Sequence, residues 1–77
     1  MSRLKRYSYR ELLAILKEFG IREDKSRGKG SERFLYNPQN PANWYTVKCH
    51  GEGTQLAIGT LKAIQRRFNI PENKFWR

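Results

Sequence analysis

One cysteine, one histidine and only seven acidic residues leave this 77-residue chain short of the usual means for cross-links, metal sites and charge balance. Cys49 has no partner for an internal disulfide, and one Cys beside one His cannot complete a structural zinc site. Long apolar runs are missing too: none approaches the roughly 20 residues that a membrane span requires. The basic stretch Met1 to Arg6 leads into Tyr7-Ser8-Tyr9-Arg10-Glu11 rather than an apolar segment, so no secretory signal is expected. No internal repeat or low-complexity tract is present. These gaps point to a cytoplasmic protein with no metal, cofactor, disulfide or membrane contact.

Basic residues are abundant. Sixteen Lys and Arg against the seven acids give a formal charge of +9. Charge of that size suits nucleic acid or an anionic membrane, and by itself chooses neither. The densest basic segment runs from Arg22 to Arg33, where Lys25, Arg27, Lys29 and Arg33 are interleaved with Gly28, Gly30 and Ser31. A charge run is often only a solvated face. Cations on glycine-rich backbone beside aromatic residues nevertheless suit a polyanion, because backbone N–H groups and side chains then reach phosphate together. RNA is the first suspect.

The length fits a single domain over residues 1–77, with a core from about residue 7 to 70. A chain this small buries only about 60–65% of its unfolded surface. Ser8-Tyr9-Arg10-Glu11 has the form of a capping box. Leu12, Leu13, Leu16 and Phe19 follow at helical spacing, and Gly20 with Ile21 supplies the stop. Ile21 to Lys25 reads as a weak short strand. Glu32 to Tyr36 reads as a second, ended by Asn37-Pro38, with Asn40-Pro41-Ala42-Asn43 as the hairpin connection. From Trp44 to His50, Tyr45, Val47 and Cys49 alternate with Thr46, Lys48 and His50, as in a half-buried strand. Leu61, Ile64 and Phe68 mark a helix from about Gly59 to Asn69, and Pro71 bars simple continuation. Helix, three strands and helix give an α+β two-layer sandwich with both helices on one sheet face.

Gly28-Lys29-Gly30-Ser31 before a strand, a strand ending in His50, and Gly59-Thr60-Leu61-Lys62-Ala63-Ile64 opening a helix resemble the HicA family. These are small toxins of type II toxin–antitoxin systems in bacteria, and the resemblance runs from about Tyr7 to Ile70. It implies a double-stranded-RNA-binding-like α-β-β-β-α fold and ribosome-independent cleavage of mRNA. It also implies a HicB-like antitoxin partner that covers the active face. Family members commonly carry their catalytic histidine directly after the Gly-Ser pair. Here that position is Glu32.

Metal-free RNA cleavage needs a base for the 2′-OH, an acid for the leaving 5′-oxygen and cations around the phosphorane. Histidine side chains exchange protons near neutral pH and fill either role. Glutamate side chains are ionised there, which suits Glu32 to the base and leaves His50 as the ordinary acid. Lys25, Arg27, Lys29 and Lys48 would assist, with Gly28, Gly30, Ser31 and Arg33 completing the RNA-binding set. This requires Glu32 and His50 on one sheet face. Simpler roles remain open: Glu32 pairing with Arg33 or Lys29, and His50 bonding backbone at a glycine turn.

Among the aromatics, Phe19, Phe34 and Phe68 are expected in the core. Tyr36, Trp44 and Tyr45 suit either base stacking or cross-strand packing. Cys49 reads as a small buried hydrophobe. The Phe75-Trp76 tail either folds back or forms a docking patch. The leading function is an endoribonuclease toxin. The alternatives are a non-catalytic RNA-binding module and a subunit that mainly grips an acidic antitoxin.

Overall fold

The first helix begins where its capping box predicts. In the computed structural model, which describes residues 6–27, 30–51 and 53–76, α1 spans Tyr9–Glu18. The Ser8 N–H donates to Glu11 Oε1 at 2.9 Å, and the Glu11 N–H donates to Ser8 Oγ at 3.2 Å. Two of the helix's orphan donors are thereby satisfied. At the other end Gly20 takes φ +79, the Gly20 N–H reaches the Lys17 carbonyl and the Ile21 N–H reaches that of Leu16. This pair of bonds is a Schellman cap, and its left-handed residue explains the glycine. Ile21, the residue after it, is buried against the core.

β1 (Arg22–Glu23), β2 (Glu32–Asn37) and β3 (Asn40–Lys48) form an antiparallel sheet in the order β1-β2-β3. Arg22 pairs with Tyr36, while Glu32 pairs with Lys48, Phe34 with Thr46 and Tyr36 with Trp44. The hairpin differs from its expected form. Asn37 pairs with Asn40, so the turn is Pro38-Gln39, and the Asn37 side chain accepts the Gln39 N–H at 3.0 Å. The register then shifts, leaving Pro41, Ala42 and Asn43 as extra residues on β3. Pro41 fits there because a bulged residue need not donate to the ladder.

α2 runs over Ile58–Arg67 and repeats the same ending with Asn69, at φ 56, in place of glycine. The Asn69 N–H reaches the Arg66 carbonyl and the Ile70 N–H reaches that of Gln65. Pro71 then serves as the N-cap of a one-turn α3, Glu72–Phe75. The tail folds back. Phe75 is fully buried, Trp76 stacks on Tyr7 at 6.1 Å, and the Tyr7 hydroxyl donates to the Phe75 carbonyl at 2.9 Å.

The core lies on one side of the sheet. Leu35, Val47 and Cys49 meet Tyr9, Leu12, Ile15 and Leu16 of α1 and Leu61 and Ile64 of α2, with Phe68 beside them. Leu13, Phe19 and Tyr45 pack at its margin. Phe34 is the exception among the expected core aromatics: it shares strand parity with Glu32 and Tyr36, and Leu35 takes the inward position instead. The result is an α+β two-layer sandwich with the α-β-β-β-α order of a double-stranded-RNA-binding-like fold, extended by α3. No helix among the described residues is long and apolar enough to cross a membrane.

Candidate functional site

The sheet face away from the helices carries Arg22, Glu32, Phe34, Tyr36, Trp44, Thr46 and Lys48, as the cross-strand pairing requires. Its side chains approach closely for a backbone reason. The Cys49 N–H donates to the Ser31 carbonyl at 2.7 Å, which makes Ser31 and Cys49 a hydrogen-bonded position. Bonded and non-bonded positions alternate along an antiparallel ladder, so the outward pairs Glu32/Lys48, Phe34/Thr46 and Tyr36/Trp44 take the closer, non-bonded spacing. Diagonal neighbours then meet as well. Phe34 and Trp44 stack with ring centroids 5.3 Å apart and planes 19° apart, and Tyr36 tilts against Phe34 at 6.4 Å.

The basic loop is tied to this face by Asp24. Its backbone N–H donates to the Phe34 carbonyl at 2.8 Å, extending the β1–β2 pairing by one bond. Its Oδ1 accepts the Ser26 N–H at 3.0 Å and the Ser26 hydroxyl at 2.6 Å, and its Oδ2 faces Arg27 Nε at 3.5 Å. The Ser26 hydrogen bonds, followed by the Arg27 charge, hold the Asp24 carboxyl below the usual carboxylate range. So placed, the Arg27 guanidinium lies over the Phe34 ring, 5.3 Å from its centroid. That distance suits a cation–π contact.

Glu32 is exposed directly opposite Lys48. Gly30, at φ +59, makes the left-handed turn just before the strand. His50 is exposed on a bend just past β3 and is held on both sides. Cys49 before it is buried, with its thiol donating to the Gly51 carbonyl, which also accepts the Thr54 N–H. Glu32 and Lys48 thus face each other at one end of the open face, with His50 exposed two residues past Lys48. Lys25 is exposed in the β1–β2 loop and Ser31 half-buried at its end. Gly28 and Lys29, also expected to contact RNA, lie outside the described residues.

Arg33 sits elsewhere. Alternation turns it toward the helix side, where its NH1 faces Glu23 at 3.5 Å and its guanidinium lies 5.5 Å from the centre of the Tyr9 ring. Its Nε has no hydrogen-bond partner among the described residues. The Tyr9 hydroxyl is in the electrostatic reach of Glu23 without a well-formed hydrogen bond. Burial, then the Glu23 carboxylate, pushes its phenol well above the ordinary value of 10.0.

Arg22 and Phe34 join this face only through the pairing of β1 and β3 with β2, whereas Thr46 has the parity of Lys48 in the sequence itself. Tyr45, grouped by sequence with Trp44, points toward the core. Among the described residues, no group of three His, Cys, Asp or Glu side chains is placed to hold a metal ion.

A family model described as the HicA toxin of bacterial toxin-antitoxin systems matches residues 9–70. Comparisons with curated proteins and with solved structures returned no match.

Proposed function

Because the chain belongs to the HicA family of toxins from bacterial toxin–antitoxin systems, we propose that its open sheet face binds mRNA and cuts it by acid–base catalysis. The observation that carries this reading is the pairing of Glu32 with Lys48 at one exposed end of that face, with His50 exposed two residues further along the chain. In the reaction, the Glu32 carboxylate takes the proton of a ribose 2′-OH, whose oxygen attacks the adjacent phosphorus. His50 gives a proton to the departing 5′-oxygen, and Lys48 stabilises the charge that accumulates on the phosphorane oxygens. The products are a 2′,3′-cyclic phosphate and a 5′-hydroxyl end. Lys25 and Arg27, with Lys29, Gly28, Gly30 and Ser31 of the same loop, hold the flanking phosphates.

A toxin of such a system works against an antitoxin. An acidic HicB-like protein would meet the same cationic face and cover Glu32 and His50, which accounts for inhibition without a second site. Action on mRNA places the protein in the cytoplasm.

The test uses labelled mRNA in EDTA with wild-type protein, Glu32→Ala, Glu32→His and His50→Ala. Wild-type cleavage leaving cyclic phosphate is expected, with the Glu32→Ala and His50→Ala rates lower by about 10²–10⁴-fold. Unchanged cleavage in both alanine variants would remove this mechanism. RNA binding without cleavage, with activity appearing only in Glu32→His, would leave a binding module that keeps the toxin's fold and not its chemistry.

A further inference from the structure

The open face holds more than the proposed cutting residues. Beyond Lys48 it continues as Phe34, Tyr36 and Trp44, and this aromatic surface has no role in proton transfer. We propose that the Phe34–Trp44 stack is a platform for an unpaired RNA base, so that the chain selects single-stranded rather than duplex RNA. The inference rests on the reading that this face binds RNA, and adds which RNA.

Four observations converge on it. Trp44 is 43% exposed, the only large hydrophobic so exposed among the described residues. Its ring is stacked nearly parallel on that of Phe34, at 19°, which leaves the other face of Trp44 turned away from Phe34. The Asp24–Ser26 turn fixes Arg27 beside this surface, against Phe34. The face has cations to meet a backbone: Arg22 beside Tyr36, Arg27 over Phe34 and Lys48 beyond Thr46, against the single carboxylate of Glu32.

An apolar partner would leave those three cations to be desolvated, whereas a nucleic-acid strand supplies a ring for the aromatics and phosphates for the cations. The ring surface also discriminates between RNA forms. In an A-form duplex the base faces are already stacked on one another, and protein contacts fall on phosphates and 2′-hydroxyls instead. Unpaired bases have free faces, and stacking on aromatic side chains is tolerant of sequence because every base has a π-face. A fold shared with duplex binders therefore carries, on its sheet, equipment suited to a single strand. Trp44 lies two outward pairs from Glu32 and Lys48 on the same face, so a base held on Trp44 shares that surface with the proposed cutting residues.

The experiment measures affinity by fluorescence anisotropy, with 2′-O-methyl RNA so that no cleavage occurs. The probes are a single-stranded oligouridylate, a fully paired duplex of the same length and an abasic strand of the same length. Wild type, Trp44→Ala, Trp44→Phe and Lys25→Ala are compared, with each variant's fold checked by thermal melting. Trp44→Ala should weaken the single strand by about 5- to 150-fold while sparing the duplex and the abasic strand, and Trp44→Phe should restore most of the loss. Lys25→Ala should weaken all three probes alike and shallow the salt dependence. Equal effects of Trp44→Ala on all probes, or none, with wild type still binding RNA, would overturn the platform and leave RNA binding by the face intact. No binding of any probe by wild type would overturn both. Undiminished RNA affinity in Trp44→Ala, with loss of a co-expressed acidic antitoxin, would make the stack a protein interface and overturn the platform.

Discussion

Replacing Phe75 by alanine should remove a large part of this domain's stability, although the residue lies beyond the family match at residues 9–70. Phe75 is fully buried. Its ring meets Tyr7 edge-on at 6.0 Å and Trp76 at 4.8 Å, and its carbonyl receives the Tyr7 hydroxyl. Truncating a buried phenylalanine to alanine costs about 3–5 kcal/mol, including the cavity that remains. A 77-residue domain has roughly 4–12 kcal/mol in total, at about 0.05–0.15 kcal/mol per residue. The variant should therefore lose about a quarter of its stability or more, and its midpoint should fall by roughly 12–40 °C. Urea and thermal unfolding followed by far-ultraviolet circular dichroism provide the measurement. Tyr7→Phe makes a graded companion, since it keeps the ring contacts and removes only the hydroxyl, for about 0.5–1.5 kcal/mol. A Phe75→Ala loss below about 1 kcal/mol would refute the reasoning, because the tail would then close no core.

Two pH profiles test the electrostatics. The Asp24 carboxyl is held below its ordinary value in the folded chain, so its contribution is present above about pH 4 and fades as acid protonates it. Asp24→Asn should flatten the acid limb of stability, read as urea midpoint against pH, and parallel profiles would remove the Asp24–Ser26–Arg27 turn as a source of it. Tyr9 is shifted the other way: its raised phenol contributes stability below about pH 10 that is lost as the pH climbs higher. Tyr9→Phe should change stability by less than about 1 kcal/mol at pH 7, since the hydroxyl has no well-formed partner, and should blunt the alkaline loss. An alkaline limb as steep as wild type's would sink that account.

Helix ends were legible because capping chemistry is local. Ser8 and Glu11 bond within one turn, and Gly20 announces its left-handed backbone by residue type alone. Strand positions were legible as well, but strand faces only in part. In β3 the alternation of Tyr45, Val47 and Cys49 pointed inward correctly. In β2 every position of the Phe34-Leu35-Tyr36 run is apolar or aromatic, so parity had two readings until pairing with β3 settled it. Phe34 therefore reads as a core residue in the sequence and faces outward in the fold. The hairpin has two candidate turns, because Asn37-Pro38 and Asn40-Pro41 are both good turn formers, and the Asn37 side-chain bond to Gln39 favours the first. For the site, the pairing of Glu32 with Lys48 follows from strand register, whereas Arg33 turns to Glu23 and Tyr9. That partnership spans α1, β1 and β2, and no local pattern encodes it.

The bond from Tyr7 to Phe75 joins residues 68 apart, which ties the timing of folding to the timing of translation. Domains fold as units as they are synthesised, at about 5–20 residues per second, and contacts of long sequence separation come last. While α1 and the sheet are emerging, Tyr7 still lacks the two rings that pack on it. The aromatic clasp cannot close until Phe75 and Trp76 have left the ribosome. A chain truncated before Phe75 would lack that clasp and leave part of its core open, a ready substrate for proteases.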